Sequence, residues 1–195
     1  MRLRLALVPL LLLAAPAAAQ QQSQSYKFLE AVRKADGNTV ISILDQPGQT
    51  IINTRDISTG EGALHIVAKR GDTTYLNYLL SRGADANMRD AQGNTAMMLA
   101  VEGGHIDAIE ILAKKRANAN LGNKMGETPL LRAVQRRDLT LVRAVLAAGG
   151  DPDQTDYNGT TARSYATADT RSGAIAKVLA ETPKKTRAAV SGPRL

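Results

Sequence analysis

Few side chains in this chain of 195 residues could perform chemistry. There are two histidines, His65 and His105, and no cysteine. The two imidazoles have no third ligand at a spacing that suits a metal ion, and no serine stands beside them in a nucleophile motif. Without cysteine the chain cannot form disulfides or use thiolate chemistry. The sequence therefore predicts no catalytic residue and no metal site.

Asp151 and Asp153 form a carboxylate pair that could hold calcium. Asp85 and Asn118 precede Asp151 at one constant interval, and Asn87 and Asn120 precede Asp153 at the same interval. Each such set of equivalent positions is a column. Asp and Asn in the same column are typical of turns in which the side chain bonds nearby backbone. The glycines are not followed by the Lys and Ser or Thr of a phosphate-binding loop. We therefore predict no cofactor and no small-molecule substrate.

A fixed period organises the elements that would position any functional residue. Four glycines recur at a constant interval, at Gly60, Gly93, Gly126 and Gly159. A period of this length marks stacked supersecondary units. After each glycine the apolar pattern predicts two helices, over 63–70 and 73–81, 96–102 and 106–115, 129–136 and 139–147, and 162–168 and 172–180. The apolar columns share the period, as in Leu76, Ile109, Val142 and Ile175, and in Val67, Ala100, Ala133 and Ala166.

These units resemble the ankyrin repeat family. The third unit carries the pattern most fully, with Gly126, Thr128, Pro129 and Leu130 at its start and Gly149 after its second helix. The resemblance covers residues 26–180 and implies an all-α solenoid of stacked helix-turn-helix units joined by β-hairpin-like loops. Five repeats are expected, at 26–56, 57–89, 90–122, 123–155 and 156–181. The resemblance also implies that His65 bonds the backbone of an adjacent repeat.

Two departures from the repeat pattern concern arginines. Arg163 stands in the column that otherwise holds Leu64, Met97 and Leu130. A polar side chain there fits the outer face of a terminal capping repeat. Arg137 occupies the position of Gly71 and Gly104 in the turn between helices, so the pattern alone does not define that turn in the third unit.

The chain ends differ from the repeats in composition. Arg2 and Arg4 precede an apolar run, and Ala17–Ala19 ends it, which is the pattern of a secretory signal cleaved after Ala19. We expect 1–19 to be a signal peptide, 20–25 a disordered linker and 182–195 a disordered basic tail. The protein is then exported, with the periplasm as its expected location, no transmembrane segment and no nucleic-acid partner. The formal net charge of +7 lies largely in the leader and the tail.

Two surfaces are candidates for binding. Basic residues concentrate in the third of the glycine-started repeats, 123–155, which we call the third repeat. A concave face built of first helices and hairpin tips would gather some of them into a groove for an acidic protein. The hairpin tips form the second surface. They are expected at Met88, Arg89 and Gln92, at Asn123, Lys124 and Met125, and at Tyr157 and Asn158. The predicted partner-binding residues are Lys69, Arg70, Arg89, Gln92, Glu102, Lys124, Met125, Arg132, Arg136, Tyr157 and Asn158. The alternative interpretation of each surface is an ordinary solvated one.

The fold and these surfaces lead to a prediction of function. We expect a monomeric, non-catalytic protein–protein interaction module in the cell envelope that binds a partner through the concave face and tips. One alternative is an inhibitor or immunity-type regulator of a specific envelope enzyme. Another is electrostatic attachment to an anionic envelope surface through the basic third repeat and the tail.

Overall fold

The computed structural model describes residues 17–48 and 50–184, with side chains from residue 24 onward. Most of the predicted signal segment and of the predicted basic tail lies outside these residues. In the described part, ten α-helices are joined by loops and two short 3-10 turns, Ile51–Asn53 and Thr170–Ser172. The helices are α1 Ala17–Arg33, α2 Gly37–Leu44, α3 Ala63–Arg70, α4 Thr73–Ser81, α5 Ala96–Gly103, α6 Ile106–Lys114, α7 Pro129–Gln135, α8 Leu139–Ala147, α9 Ala162–Ala168 and α10 Gly173–Glu181.

The helices form two layers. Helices α1, α3, α5, α7 and α9 pack against one another in chain order and form the first layer, whereas α4, α6, α8 and α10 pack in order in the second. Both predicted columns face this packing, because Leu76 and its three equivalents are buried, as are Val67 and its three equivalents. Small residues in the Val67 column let the first-layer helices approach closely. The predicted all-α solenoid is confirmed.

Side chains at the helix starts explain where most of these short helices begin. Thr95 and Thr128 accept hydrogen bonds from backbone N–H groups in the first turns of α5 and α7. Asp72 and Asp138 do the same for the second-layer helices α4 and α8. Each bond satisfies a donor that the helix itself leaves without a partner. At Thr128 the hydroxyl oxygen accepts from the Leu131 N–H at 3.2 Å.

Left-handed residues end the first helices of the three central units. Gly71 has φ 73° and Gly104 has φ 75°. Arg137 keeps the same conformation with φ 56° although it carries a side chain. The guanidinium of Arg137 donates to the Asp169 carboxylate at 2.6 Å, which ties this turn to the next unit. The glycine is therefore replaced without loss of the turn.

The hairpin loops stack edge to edge and form what we call the hairpin row, residues 57–59, 90–92, 123–125 and 156–158. One backbone hydrogen bond joins each loop to the next: Ala91 N–H to Thr59 O at 2.9 Å, Lys124 N–H to Gln92 O at 2.9 Å, and Tyr157 N–H to Met125 O at 3.0 Å. Among the described residues the only bridge pair is Arg89 with Thr95. The loops are thus hairpin-like turns rather than strands of a sheet.

Two features differ from the sequence-based expectation. Helix α1 begins at Ala17 and includes residues 20–25, for which the composition predicts a disordered linker. Arg163 does not form a solvated outer face: its side chain is 19% exposed and pairs with Asp153. It also donates to the backbone carbonyls of Leu179 and Thr182. The terminal unit is therefore closed by an internal network around Arg163.

Candidate binding surface

His65 has a structural role at the base of the second hairpin. Its Nδ1 accepts from the Gly62 N–H at 3.0 Å, so the proton lies on Nε2, which donates to the Asn94 carbonyl at 3.0 Å. The ring is 1% exposed. Burial lowers the pKa of His65, because the charged imidazolium would lose its hydration. The predicted bond to the backbone of an adjacent repeat is present.

The Asp and Asn columns serve the loops, as the repeat pattern predicts. Asp151 accepts from the Asp153 N–H at 3.0 Å within the loop. Asn120 reaches between repeats, since its side-chain oxygen accepts from the Asp151 N–H at 2.7 Å. Asp153 differs from its column, because its carboxylate binds Arg163 instead of backbone. The hydrogen bond from Arg163 lowers the pKa of Asp153.

Three nitrogen-bearing side chains at helix ends bind the C-terminal carbonyls of neighbouring helices. Arg70 donates to the Val32 carbonyl at 3.0 Å and to the Arg33 carbonyl at 3.2 Å. Arg136 donates to the Glu102 carbonyl at 2.8 Å, and His105 lies 3.1 Å from the carbonyl of Lys69. Cations stabilise the carbonyl-bearing C-terminus of a helix. Arg70 and Arg136 are thus committed to the fold, which weakens the hypothesis that they line a basic groove.

Arg132 is also neutralised within the chain. Its guanidinium lies 3.4 Å from the Glu102 carboxylate and 3.5 Å from that of Glu127. The two acids come from adjacent repeats, so Arg132 links them. The predicted site residues Glu102, Arg132 and Arg136 are therefore brought together, but as one internally paired cluster.

Three of the predicted partner-binding cations remain available, and two of them lie on or beside the hairpin row. Arg89 and Lys124 are exposed, and neither forms an ion pair with a described residue. Lys69 is exposed as well, with its ammonium 3.7 Å from Glu61. A solvent-exposed pair at this distance contributes little stability. Available positive charge among the predicted binding residues therefore lies at Arg89 and Lys124, on or beside the hairpins, and at Lys69 on α3.

The third and fourth hairpins present two large apolar side chains side by side. Tyr157 is 79% exposed and Met125 is 54% exposed. The Tyr157 N–H donates to the Met125 carbonyl, so the two residues are neighbours across the hairpin row. Lys124 precedes Met125, and the exposed Asn158 follows Tyr157. The Gln92 side chain is exposed on the preceding hairpin. Tyrosine and methionine are both enriched in protein–protein contact surfaces.

Two residues predicted at the tips belong to the interior instead. Met88 is 8% exposed and Asn123 is 4% exposed. The side chain of Asn123 accepts from the backbone N–H groups of Met125 and Glu127 and so holds the hairpin closed. Neither residue is available to a partner. The repeat register locates a hairpin but does not tell which of its residues point outward.

A groove that the sequence does not reveal lies between α1 and the first hairpin. Tyr26 stands on one wall and Ile57 on the other, around a cavity of about 540 Å³ that Leu29 also lines. Tyr26 is 64% exposed and Ile57 is 82% exposed. The two walls come from segments far apart along a unit of irregular length, so no periodic column predicts the groove. The only signal in the sequence is an isoleucine in a polar loop.

The described residues contain no group of three His, Asp or Glu side chains that could hold a metal ion. None of the helices in the same ranges is long and apolar enough to cross a membrane.

Comparison with known proteins agrees with the repeat geometry. Residues 28–123, about half of the chain, match the family model of ankyrin repeats in three copies. Over 84 residues the chain is 33% identical to ankyrin repeat domain-containing protein 63 of Mus musculus, a match that covers 41% of this chain and 21% of the mouse protein. The chain therefore spans about a fifth of that relative. Ankyrin repeats are generally protein–protein interaction modules and generally not catalytic. With its stacked helix pairs and linked hairpins, the chain belongs to the ankyrin repeat family.

Proposed function

We propose that this protein is a non-catalytic binding module of the cell envelope that holds a partner protein on its hairpin row. The observation that carries the proposal is that the exposed side chains of Met125 and Tyr157 lie next to each other, on two hairpins that a backbone hydrogen bond joins. Large apolar side chains fixed on a stacked scaffold give contact area at low cost in conformational entropy. Lys124 adds positive charge next to Met125, and Arg89 adds it at the second hairpin, which favours a partner with an acidic surface.

The envelope location rests on the N-terminal segment 1–19. Its basic start, apolar run and small residues before Gln20 have the composition of an export signal. The proposed contact lies on the hairpins and not on the first-layer helices, because Arg70, Arg132 and Arg136 already bind groups of the chain itself. A single tight, stoichiometric complex with one envelope enzyme would identify the protein as an inhibitor or immunity-type regulator of that enzyme.

The proposal is tested by chemical crosslinking of the tagged full chain in its native envelope. The variant Met125→Ser/Tyr157→Ser removes the apolar contacts, and both side chains are exposed, so we expect unchanged folding. Captured partner should fall at least about tenfold, as for loss of a central contact in an interface. Ile41→Ser is the matched control, because Ile41 is 45% exposed and belongs to α2, not to the hairpin row. Equal capture by the double variant and by wild type would refute the hairpin row as the binding surface.

A specific observation also favours a second candidate, attachment to an anionic envelope surface. Lys114, Lys115 and Arg116 are all exposed at the end of α6 and form no ion pair with a described residue. This cluster is free to bind an anionic surface, whereas Arg132 and Arg136 of the predicted basic groove are bound within the chain. We expect binding to vesicles that contain anionic lipid, weakening steeply with added salt. Substituting all three residues by Gln should abolish it, whereas salt-insensitive binding would exclude this mode.

A further inference from the structure

The groove between α1 and the first hairpin is a candidate for a second contact with the partner. Tyr26, Leu29 and Arg33 follow one another at helical spacing, so they lie on one face of α1 and line the groove together. Residues 54–58 of the first hairpin form the opposite wall. Leu29 is 2% exposed and closes the floor. The cavity of about 540 Å³ is in the size range of sites that enclose several side-chain or ligand groups.

The rim of the groove exposes two large apolar side chains that nothing in the described chain covers. Tyr26 stands on α1 and Ile57 on the hairpin, 64% and 82% exposed. Single exposed apolar residues are ordinary, but two that flank one cavity with a buried leucine floor form a continuous apolar surface. An apolar side chain inserted between them would remove both from water.

The free charge at the groove is positive. The Asp56 carboxylate is fully engaged: it accepts from Arg33 at 2.6 Å and from the hydroxyl and the N–H of Ser58. These bonds, the one from the Ser58 hydroxyl first, hold the pKa of Asp56 well below its usual range. Arg55 is exposed and forms no ion pair with a described residue. An incoming carboxylate therefore meets an unpaired guanidinium, whereas the nearest acid is already neutralised.

We infer that this groove binds an extended acidic segment of the partner protein, which inserts an apolar side chain between Tyr26 and Ile57 and pairs a carboxylate with Arg55. The inference rests on the proposed function and specifies the chemistry of the partner. Charge complementarity selects this occupant over the chain's own ends. The leader carries Arg2 and Arg4, and residues 185–195 carry basic residues and no acid, so Arg55 repels both.

The test is a selection of random linear peptides displayed on phage against the immobilised full chain. We expect enriched peptides with Asp or Glu next to Leu, Ile or Phe. Synthetic copies of these peptides should bind at least about tenfold more weakly to Ile57→Ser and to Arg55→Glu. Ile41→Ser and Arg143→Glu are the matched controls, because both residues are exposed and lie on α2 and α8, outside the groove. These two variants should bind the peptides like wild type.

Three results would overturn the inference: no enrichment, enrichment of basic peptides, or acidic peptides whose binding ignores Ile57→Ser and Arg55→Glu. Its failure is separable from that of the proposed function. Native partner capture that depends on Met125 and Tyr157, without selected peptides at the groove, would leave the function standing and remove the groove. Peptide binding at the groove, with partner capture indifferent to Met125 and Tyr157, would instead leave the groove standing and remove the hairpin row.

Discussion

The guanidinium of Arg163 forms two hydrogen bonds with the Asp153 carboxylate, at 2.7 and 3.0 Å. The same guanidinium donates to the carbonyls of Leu179 and Thr182, at the end of α10. One side chain therefore joins the loop before the last unit to the last helix of the described chain. It does so from a column that holds Leu or Met in the other repeats.

Arg163→Met should destabilise the protein although it restores an apolar residue of the kind found in this column. The substitution leaves the Asp153 carboxylate and two carbonyls without their donor. Loss of hydrogen bonds to a charged group costs about 1.5–3 kcal/mol, and we expect a loss of that size in the free energy of unfolding measured with urea. Arg163→Lys is the control that keeps the charge but not the fork geometry, so its loss should be intermediate. A more stable Arg163→Met variant would contradict this.

The pH dependence of the same pair has a definite sign. Arg163 lowers the pKa of Asp153 in the folded state. The stabilisation is therefore complete above the unfolded value of about 3.9 and is lost as pH falls through the lower folded value. The difference in stability between wild type and Asp153→Asn should accordingly shrink as the pH falls below about 4.

The periodic columns predict the fold because each repeat buries the same positions. Leu76 and Ile109 illustrate this, since both are fully buried at equivalent places in α4 and α6. The predicted bounds of α3, α4, α8 and α9 agree with the structure. Fixed spacing determines which face of a helix meets its neighbour, and that information is present in sequence.

The surface is predictable only in part, because spacing does not determine side-chain direction. The repeat pattern places Arg70 in the predicted basic groove of the concave face, yet its side chain bonds the carbonyls of α1. Arg132 lies at its predicted place but is shared by two glutamates. The Tyr26–Ile57 groove depends on how an irregular first unit docks, so the repeat register does not reveal it.

His65 should make the stability of the fold depend on pH near neutrality. Its Nδ1 must stay unprotonated to accept from Gly62, and burial lowers its pKa. The contribution is thus complete above the unfolded value of about 6.5 and falls as pH drops below it. We expect the free energy of unfolding to decline from about pH 7.5 to about pH 5.5.

The corresponding variant is His65→Gln, made in a protein that already carries His105→Gln. The variant and its His105→Gln parent then differ by the His65 imidazole alone. The buried Gly62 N–H and Asn94 carbonyl then lose a well-placed partner, at a cost of about 1–3 kcal/mol at neutral pH. The free energy of unfolding, measured with urea at several pH values, should change less with pH in the variant. An unchanged pH profile would mean that His65 does not carry the effect.

Arg132→Glu should destabilise the chain before it tests any binding. The new carboxylate would lie beside Glu102 and Glu127, which now share the arginine. We expect a loss of about 1–2 kcal/mol in the free energy of unfolding, relieved by added salt because the repulsion is screened. Lys124→Glu is the matched reversal on the hairpin row and should leave stability unchanged. Equal stability of the two variants would show that the glutamates do not depend on Arg132.

Gly126→Ala and Gly159→Ala form a matched pair that tests how closely the hairpins stack. Both glycines have φ 79°, so a side chain costs each position about 1–2 kcal/mol of left-handed strain. They differ in their surroundings. A Cβ at Gly126 would lie 2.9 Å from the backbone nitrogen of Tyr157, whereas nothing lies within 4 Å at Gly159.

Gly126→Ala should therefore be the more destabilising variant by about a further 1–3 kcal/mol, the usual cost of forcing atoms into a packed site. Urea unfolding of the two variants under identical conditions measures the difference. The collision also pushes Tyr157 away from the third hairpin, so Gly126→Ala should weaken partner capture even at temperatures where it remains folded. Gly159→Ala should leave capture intact. Equal stability losses would mean that the hairpins yield without cost, and the rigid placement of Met125 beside Tyr157, on which the binding proposal depends, would fail with them.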